Sequence, residues 1–70
     1  MKKEELARLQ NYMRGVFKLD NLKIKARPQK DDSAEVFISE EFIGVIYRDD
    51  EDEDLCYNFQ MAILDFDLEQ

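Results

Sequence analysis

The apolar residues of this chain change period once, and that change orders everything the chain can build. Over residues 4 to 17, EELARLQNYMRGVF, the positions Leu6, Leu9, Met13, Val16 and Phe17 recur at three- and four-residue spacing. That spacing is one apolar stripe on a helix. Glu4 and Glu5 suit the positive end of its dipole, and Arg14 with Gly15 suits its last turn, so the helix is predicted to end near Gly15. Asp20 and Asn21 form the turn that follows.

From Leu22 the period is two. Leu22, Ile24 and Ala26 alternate with Lys23, Lys25 and Arg27 until Pro28, which lacks a ladder donor and ends the first strand. Gln29 to Ser33 reads as a loop. Glu35 to Ile38 and Phe42 to Arg48 flank a short connection, Ser39-Glu40-Glu41, and form a hairpin. The third strand is apolar on both faces, as a central strand is, and Gly44 in its middle marks a bulge or a close backbone approach. After an acidic run, Leu55, Tyr57, Phe59, Met61 and Ile63 share one parity, which then switches to Leu64, Phe66 and Leu68. One inserted residue produces such a switch, so a bulge near residues 62 to 64 is expected to bend a long fourth strand. A short helix from Met61 is the alternative.

The predicted fold class is α+β: an N-terminal amphipathic helix packed on a twisted, mainly antiparallel four-stranded sheet in the order α-β-β-β-β, the last strand long and bulged. Residues 1 to 70 form a single domain. If the bent end of strand four reaches strand one, Asp65, Asp67 and Glu69 oppose Lys23, Lys25 and Arg27. Such cross-strand charge pairs select register more than they supply stability.

Charge is divided along the chain. Residues 1 to 30 carry nine Lys or Arg against three acids, and residues 31 to 70 carry one Arg against fourteen acids, for a net charge of -7. An acidic balance works against nucleic-acid binding and against anionic membranes, which both call for a positive field. No apolar run approaches the ~20 residues that span a bilayer. The single cysteine, Cys56, makes no internal disulfide, and the N-terminal residues lack the apolar core of a signal peptide, so a cytoplasmic location is expected.

Chemistry is sparsely equipped. The chain has no histidine, threonine or tryptophan and only two serines, Ser33 and Ser39, so nucleophile-base arrangements lack parts and no enzyme is expected. No cofactor motif is present. The run Asp49, Asp50, Glu51, Asp52, Glu53, Asp54 supplies the hard oxygens that Ca²⁺ or Mg²⁺ prefer. As an EF-hand starting at Asp50 it fails: Leu55 takes the glycine position and Met61 the final glutamate. A solvated loop that discourages edge association is the plainer reading. The basic stripe Lys23, Lys25, Arg27, with Lys30 nearby, could meet phosphates, but no glycine-rich loop accompanies it.

A helix covers only one face of a sheet. The other face leaves either Phe42 and Ile46, or Ile43, Val45 and Tyr47, pointing outward, with Phe37 adjacent. Exposed apolar patches of this kind mark association surfaces, and at seventy residues the thin core makes self-association natural. The function expected from the residues is therefore a non-enzymatic protein-interaction module, with an unidentified protein or a second copy as partner. Its candidate docking residues are Phe37, Phe42, Ile46, Lys23, Lys25 and Arg27. Divalent-cation binding at the acidic loop and a nucleic-acid accessory role for the basic strand are the alternatives.

The stretch KARPQKDDSAEVFI, followed by EEFIGVIYRDDEDEDLCYNFQMAILDFDLE, resembles a family of small bacterial proteins catalogued as domain of unknown function 3126. KARP, DDSAEV, EFIGV and YNFQMAILD carry most of the resemblance, which covers nearly the whole chain. The family often has glycine in the turn that is Ser39-Glu40 here, a departure that bears on the turn type. The resemblance implies a bacterial, cytoplasmic, free-standing domain and brings no catalytic residues or cofactor.

Overall fold

A computed structural model describes residues 1–51 and 54–69. Helix α1 spans Lys3–Phe17, and four strands follow: β1 Leu22–Arg27, β2 Lys30–Ile38, β3 Glu41–Asp49 and β4 Cys56–Gln60. A short 3₁₀ helix occupies Asp65–Glu69. The strands form one antiparallel sheet in the order β1-β2-β3-β4. The α-β-β-β-β order read from the periods is the order of the fold.

The helix begins where Lys2 turns to extended backbone and its N–H donates to Glu5 Oε1 at 3.4 Å. It runs past Gly15, which stays helical in open space, and stops at Lys18, whose left-handed φ of 58° lets the Leu19 N–H reach the Arg14 carbonyl at 3.1 Å. A non-glycine residue thus does the work glycine usually does at a helix end. The helix lies on the β1 side of the sheet. Its Gln10 Oε1 accepts from the Ile24 N–H at 3.0 Å, and Arg14 Nε donates to the Leu22 carbonyl at 2.7 Å. Those are outward-facing groups of an edge strand, so two helix side chains satisfy a ladder that would otherwise invite another chain.

Met13 from the helix meets Leu22 and Ile24 of β1, Ala34 and Val36 of β2 and Ile46 of β3 in the buried core. Leu22 and Val36 lose all their exposure. Burying each stabilises the fold by roughly 1.5–3 kcal/mol. Register puts this set on one face: Ile24 pairs with Val36, Ala26 with Ala34, and Ala34 with Ile46.

Several boundaries differ from expectation. Strand β2 starts at Lys30, not Glu35, because the β1–β2 turn is only Pro28 and Gln29, the latter at φ 62°. Ladder bonds do not need apolar side chains, so pairing runs out into the polar segment. The β2–β3 turn is Ser39-Glu40, both at positive φ (51° and 67°), as a two-residue type I′ hairpin requires. The Asn21 side-chain amide donates to Ser39 Oγ, and the Ser39 N–H donates to the Asn21 carbonyl at 3.3 Å, which ties the turn to the residue that precedes β1.

The last strand is corrected most. It ends at Gln60, and no bulge falls near residues 62 to 64; the register shifts lie between Ala26 and Arg27 and between Val36 and Phe37. The second leaves Ile43 as the extra residue of β3 and reverses the parity expected there. Gly44 beside it permits a close approach: a Cβ would lie 2.8 Å from Phe59 Cε1 and against the Gln60 carbonyl. The sheet is open. β1 and β4 are opposite edges, so Asp65, Asp67 and Glu69 do not pair with Lys23, Lys25 and Arg27. In place of a strand, the Leu64 N–H donates to Asp67 Oδ2 at 3.0 Å while the Asp67 N–H donates to the Leu64 carbonyl at 2.8 Å, closing a tight turn.

Candidate interaction site

Because α1 sits over β1, the far side of the sheet's inner face is only partly roofed. A groove of about 580 Å³ runs between α1 and β4. Leu9, Tyr12, Met13, Val16 and Phe17 form its helical wall, and Ile46, Leu55, Tyr57 and Phe59 its sheet wall. Tyr12 is 71% exposed, Val16 and Leu55 55%, and Phe17 46%. Phe17 and Phe59 meet edge to face at 6.4 Å between ring centroids, which closes one end.

The other end is polar and tightly bonded. Arg48 Nη1 donates to Glu5 Oε1 at 3.0 Å and Oε2 at 3.1 Å, and the Tyr57 hydroxyl donates to Oε2 at 2.5 Å. The side chains of Glu5 and Arg48 are 15% and 26% exposed. The Tyr57 hydroxyl first, then the Arg48 guanidinium, holds the Glu5 carboxyl below its usual value against the opposing pull of burial. The same hydrogen bond pushes the Tyr57 hydroxyl upward. This triad ties the start of α1 to β3 and β4 and sets the width of the groove. No motif announces it, but one signal was available: Glu5 stands four residues before Leu9, on the apolar stripe, and a carboxylate there needs a partner.

The six expected docking residues divide between surfaces. Phe37 and Phe42 are cross-strand partners on the face away from the helix, in an edge-to-face contact at 5.7 Å. Lys23 and Lys25 share that face, and Lys25 Nζ stands 4.8 Å from the Phe37 ring centroid. Ile46 does not join them. It is buried under the helix, because the bulge at Ile43 puts Phe42 in phase with Val45 and Tyr47 instead. Arg27 turns aside to donate from Nη1 to the buried Ser33 Oγ at 3.2 Å.

Of the acidic run, Asp52 and Glu53 lie outside the described residues. Asp49 Oδ1 accepts from the Glu51 N–H at 3.2 Å, and Asp50 lies 4.0 Å from Arg48 Nε. Among the described residues no three acidic or sulfur side chains converge as a metal centre. Cys56 is exposed at the start of β4, opposite Asp49. No helix among the described residues is long and apolar enough to cross a membrane.

With the groove and its triad located, comparison with known families is decisive on lineage. The model of the family described as protein of unknown function DUF3126 matches residues 5–67. The chain belongs to the DUF3126 family. The match takes in α1 from Glu5 onward, all four strands and most of the 3₁₀ helix, so both walls of the groove and Glu5, Arg48 and Tyr57 fall inside it. Neither the curated proteins nor the solved structures contain a match.

Proposed function

We propose that this DUF3126 protein is a non-enzymatic protein-interaction module that accepts an apolar polypeptide segment in the groove between α1 and β4. One observation carries the reading: Tyr12, Val16, Phe17 and Leu55, four large side chains about half exposed or more, line one continuous channel. Scattered exposed apolar residues need no explanation, whereas a contiguous concave set marks an association surface. The channel is rimmed by Arg8 and by the Glu5–Arg48–Tyr57 triad, which gives it a polar border like that of a protein interface.

The groove is favoured over the outer sheet face. There, Phe37 packs edge to face on Phe42 and Lys25 Nζ stands over the Phe37 ring, and the concavity beside Tyr47 is lined mainly by polar residues such as Asp49, Asn58 and Gln60. A photo-crosslinking residue placed at Tyr12 or, separately, at Phe42 tests the choice. Irradiation in cells is expected to give a discrete protein adduct from position 12 that Val16→Asp abolishes. Adducts from position 42 alone, or none from either, overturn the reading.

A further inference from the structure

Besides the outer sheet face with Phe42 and Tyr47, the described residues hold two unpartnered apolar surfaces, of which the groove is one. The other is the segment after β4. Met61, Ile63, Leu64, Phe66 and Leu68 are 50–73% exposed, and every described residue from Met61 to Glu69 is exposed. The segment stands off the body: the molecule measures 42 × 24 × 23 Å, with a radius of gyration of 12.9 Å. A compact domain of this length has a radius of about 11 Å.

We propose that the groove's occupant is the Met61–Glu69 segment of a second copy, donated reciprocally so that one two-fold dimer covers both surfaces. The proposal rests on the groove being a docking site for a polypeptide segment and names that segment.

Three observations choose it. The first is direction. Tyr57 meets Glu5 near the start of α1 and Phe59 meets Phe17 at its end, so β4 runs along the groove in the same sense as the helix and leaves it at the Phe17 end. To enter its own groove, the chain would have to reverse within Met61–Leu64. Those residues, MAIL, include none of the usual turn formers, and none adopts positive φ. A neighbour's groove needs no such reversal.

The second is size. From Glu5 to Phe17 the helical wall is about 18 Å long at 1.5 Å per residue. Four extended residues and five in a 3₁₀ helix span about 23 Å, enough to run the full length of that wall and about 5 Å past it. With about 180 Å² per large apolar residue, the exposed part of each segment offers about 550 Å². Two segments fully covered in two grooves bury at most about 2,000 Å², the upper end of the range of specific, stable interfaces.

The third is charge. Asp65, Asp67 and Glu69 give the segment three negative charges, while the charged side chains lining the groove are Arg8 and Glu5, the latter already bonded to Arg48 and Tyr57. Arg8 lines the groove and pairs with no carboxylate among the described residues. An acidic, apolar segment therefore meets an apolar wall whose one cation without a carboxylate partner among the described residues is Arg8, and an isologous exchange covers all four surfaces with one contact type.

The experiment uses the full chain with Cys56→Ser and Glu69→Cys, nitroxide-labelled at position 69 and mixed with an unlabelled, isotope-enriched chain read by NMR. Amides of Arg8, Tyr12 and Val16 in the enriched chain are expected to broaden, and sedimentation is expected to give twice the 8.4 kDa chain mass. Adding Phe66→Ser and Leu68→Ser to the labelled chain is expected to remove the broadening and weaken dimerisation at least about 100-fold. Broadening only when label and isotope share one chain identifies the chain's own segment as occupant and overturns the proposal. A dimer indifferent to Phe66→Ser and Leu68→Ser overturns it as well, as does a monomer at millimolar concentration. In each of these cases, a Val16-dependent adduct from position 12 shows that the docking site itself survives; its absence shows that the site has failed too.

Discussion

Gly44→Ala is the most informative single change in the sheet, because its cost comes from one backbone atom. Gly44 sits in β3 opposite the fully buried Val36, and its φ is not positive, so alanine meets no conformational obstacle there. Space is the obstacle. A Cβ would press on the Gln60 carbonyl and lie 2.8 and 3.1 Å from Phe59 Cε1 and Cζ. A ring can tilt, but the carbonyl belongs to β4, whose last ladder pair is Val45 with Gln60. Relief requires parting the end of β4 from β3 and moving Phe59 out of the groove wall. Overpacking of this kind costs about 1–3 kcal/mol. For a domain of this size that lowers Tm by about 8–16 °C at a central 2 kcal/mol. Gly15→Ala is the matched control, since nothing lies within 4 Å of its Cβ and it sits inside a helix. Alanine there is worth about 0.5–1 kcal/mol and raises Tm by a few degrees. Far-UV circular dichroism on the two variants reads both shifts. If both move Tm in the same direction, or Gly44→Ala moves it by less than about 4 °C, close approach is not the reason for glycine in β3.

Two further outcomes follow from the polar contacts. Glu5→Gln is expected to cost about 1.5–3 kcal/mol near neutral pH, the range for a hydrogen-bonded charged group. Glu5 titrates below its ordinary 4.5, so its contribution is present above that pH and fades as pH falls through the lowered value. Tyr57 titrates above 10.0, so its share is complete below pH 10 and is lost as pH rises through the raised value. Urea midpoints for wild type and variant should thus differ by a constant amount from about pH 5 to 9 and converge at both extremes; a gap unchanged at pH 3 refutes the triad as drawn. Gln10→Ala leaves the Ile24 N–H of the β1 edge without its acceptor, at a cost of about 1–3 kcal/mol. Native-state hydrogen exchange at Ile24 should accelerate and recover in Gln10→Glu; unchanged protection in the alanine variant means the helix does not guard that edge.

Legibility in this chain follows from what a period encodes. The three-to-four spacing of Leu6, Leu9 and Met13, and the alternation of Leu22 and Ile24, each specify a face, and faces suffice to order one helix and four strands. They do not specify phase across a bulge: strict alternation groups Ile46 with Phe42, whereas the extra residue Ile43 puts Ile46 beneath the helix. Nor do they show where a ladder stops: β2 begins four residues before its first apolar side chain, Ala34, because main-chain bonds carry it from Lys30. The Glu5–Arg48–Tyr57 triad joins residues 52 positions apart, a distance no local pattern reports.

The segment from Leu64 to Glu69 shows the same limit in its sharpest form. LDFDLE alternates as a half-buried strand does, yet alternation states only that one side is apolar, and a strand also needs a neighbour to take its main-chain bonds. The neighbour assumed from charge was β1, which the open sheet places two strands beyond β3's other side, at the far edge. With no ladder to join, Asp67 satisfies the Leu64 N–H and the chain tightens into a 3₁₀ turn, while Leu64, Phe66 and Leu68 keep the exposure that the pattern says they should lose. Pattern and structure thus disagree about burial at Leu64, Phe66 and Leu68, while the groove between α1 and β4 keeps Tyr12, Val16 and Leu55 exposed. The proposed exchange with a second copy would cover both sets of side chains with one contact.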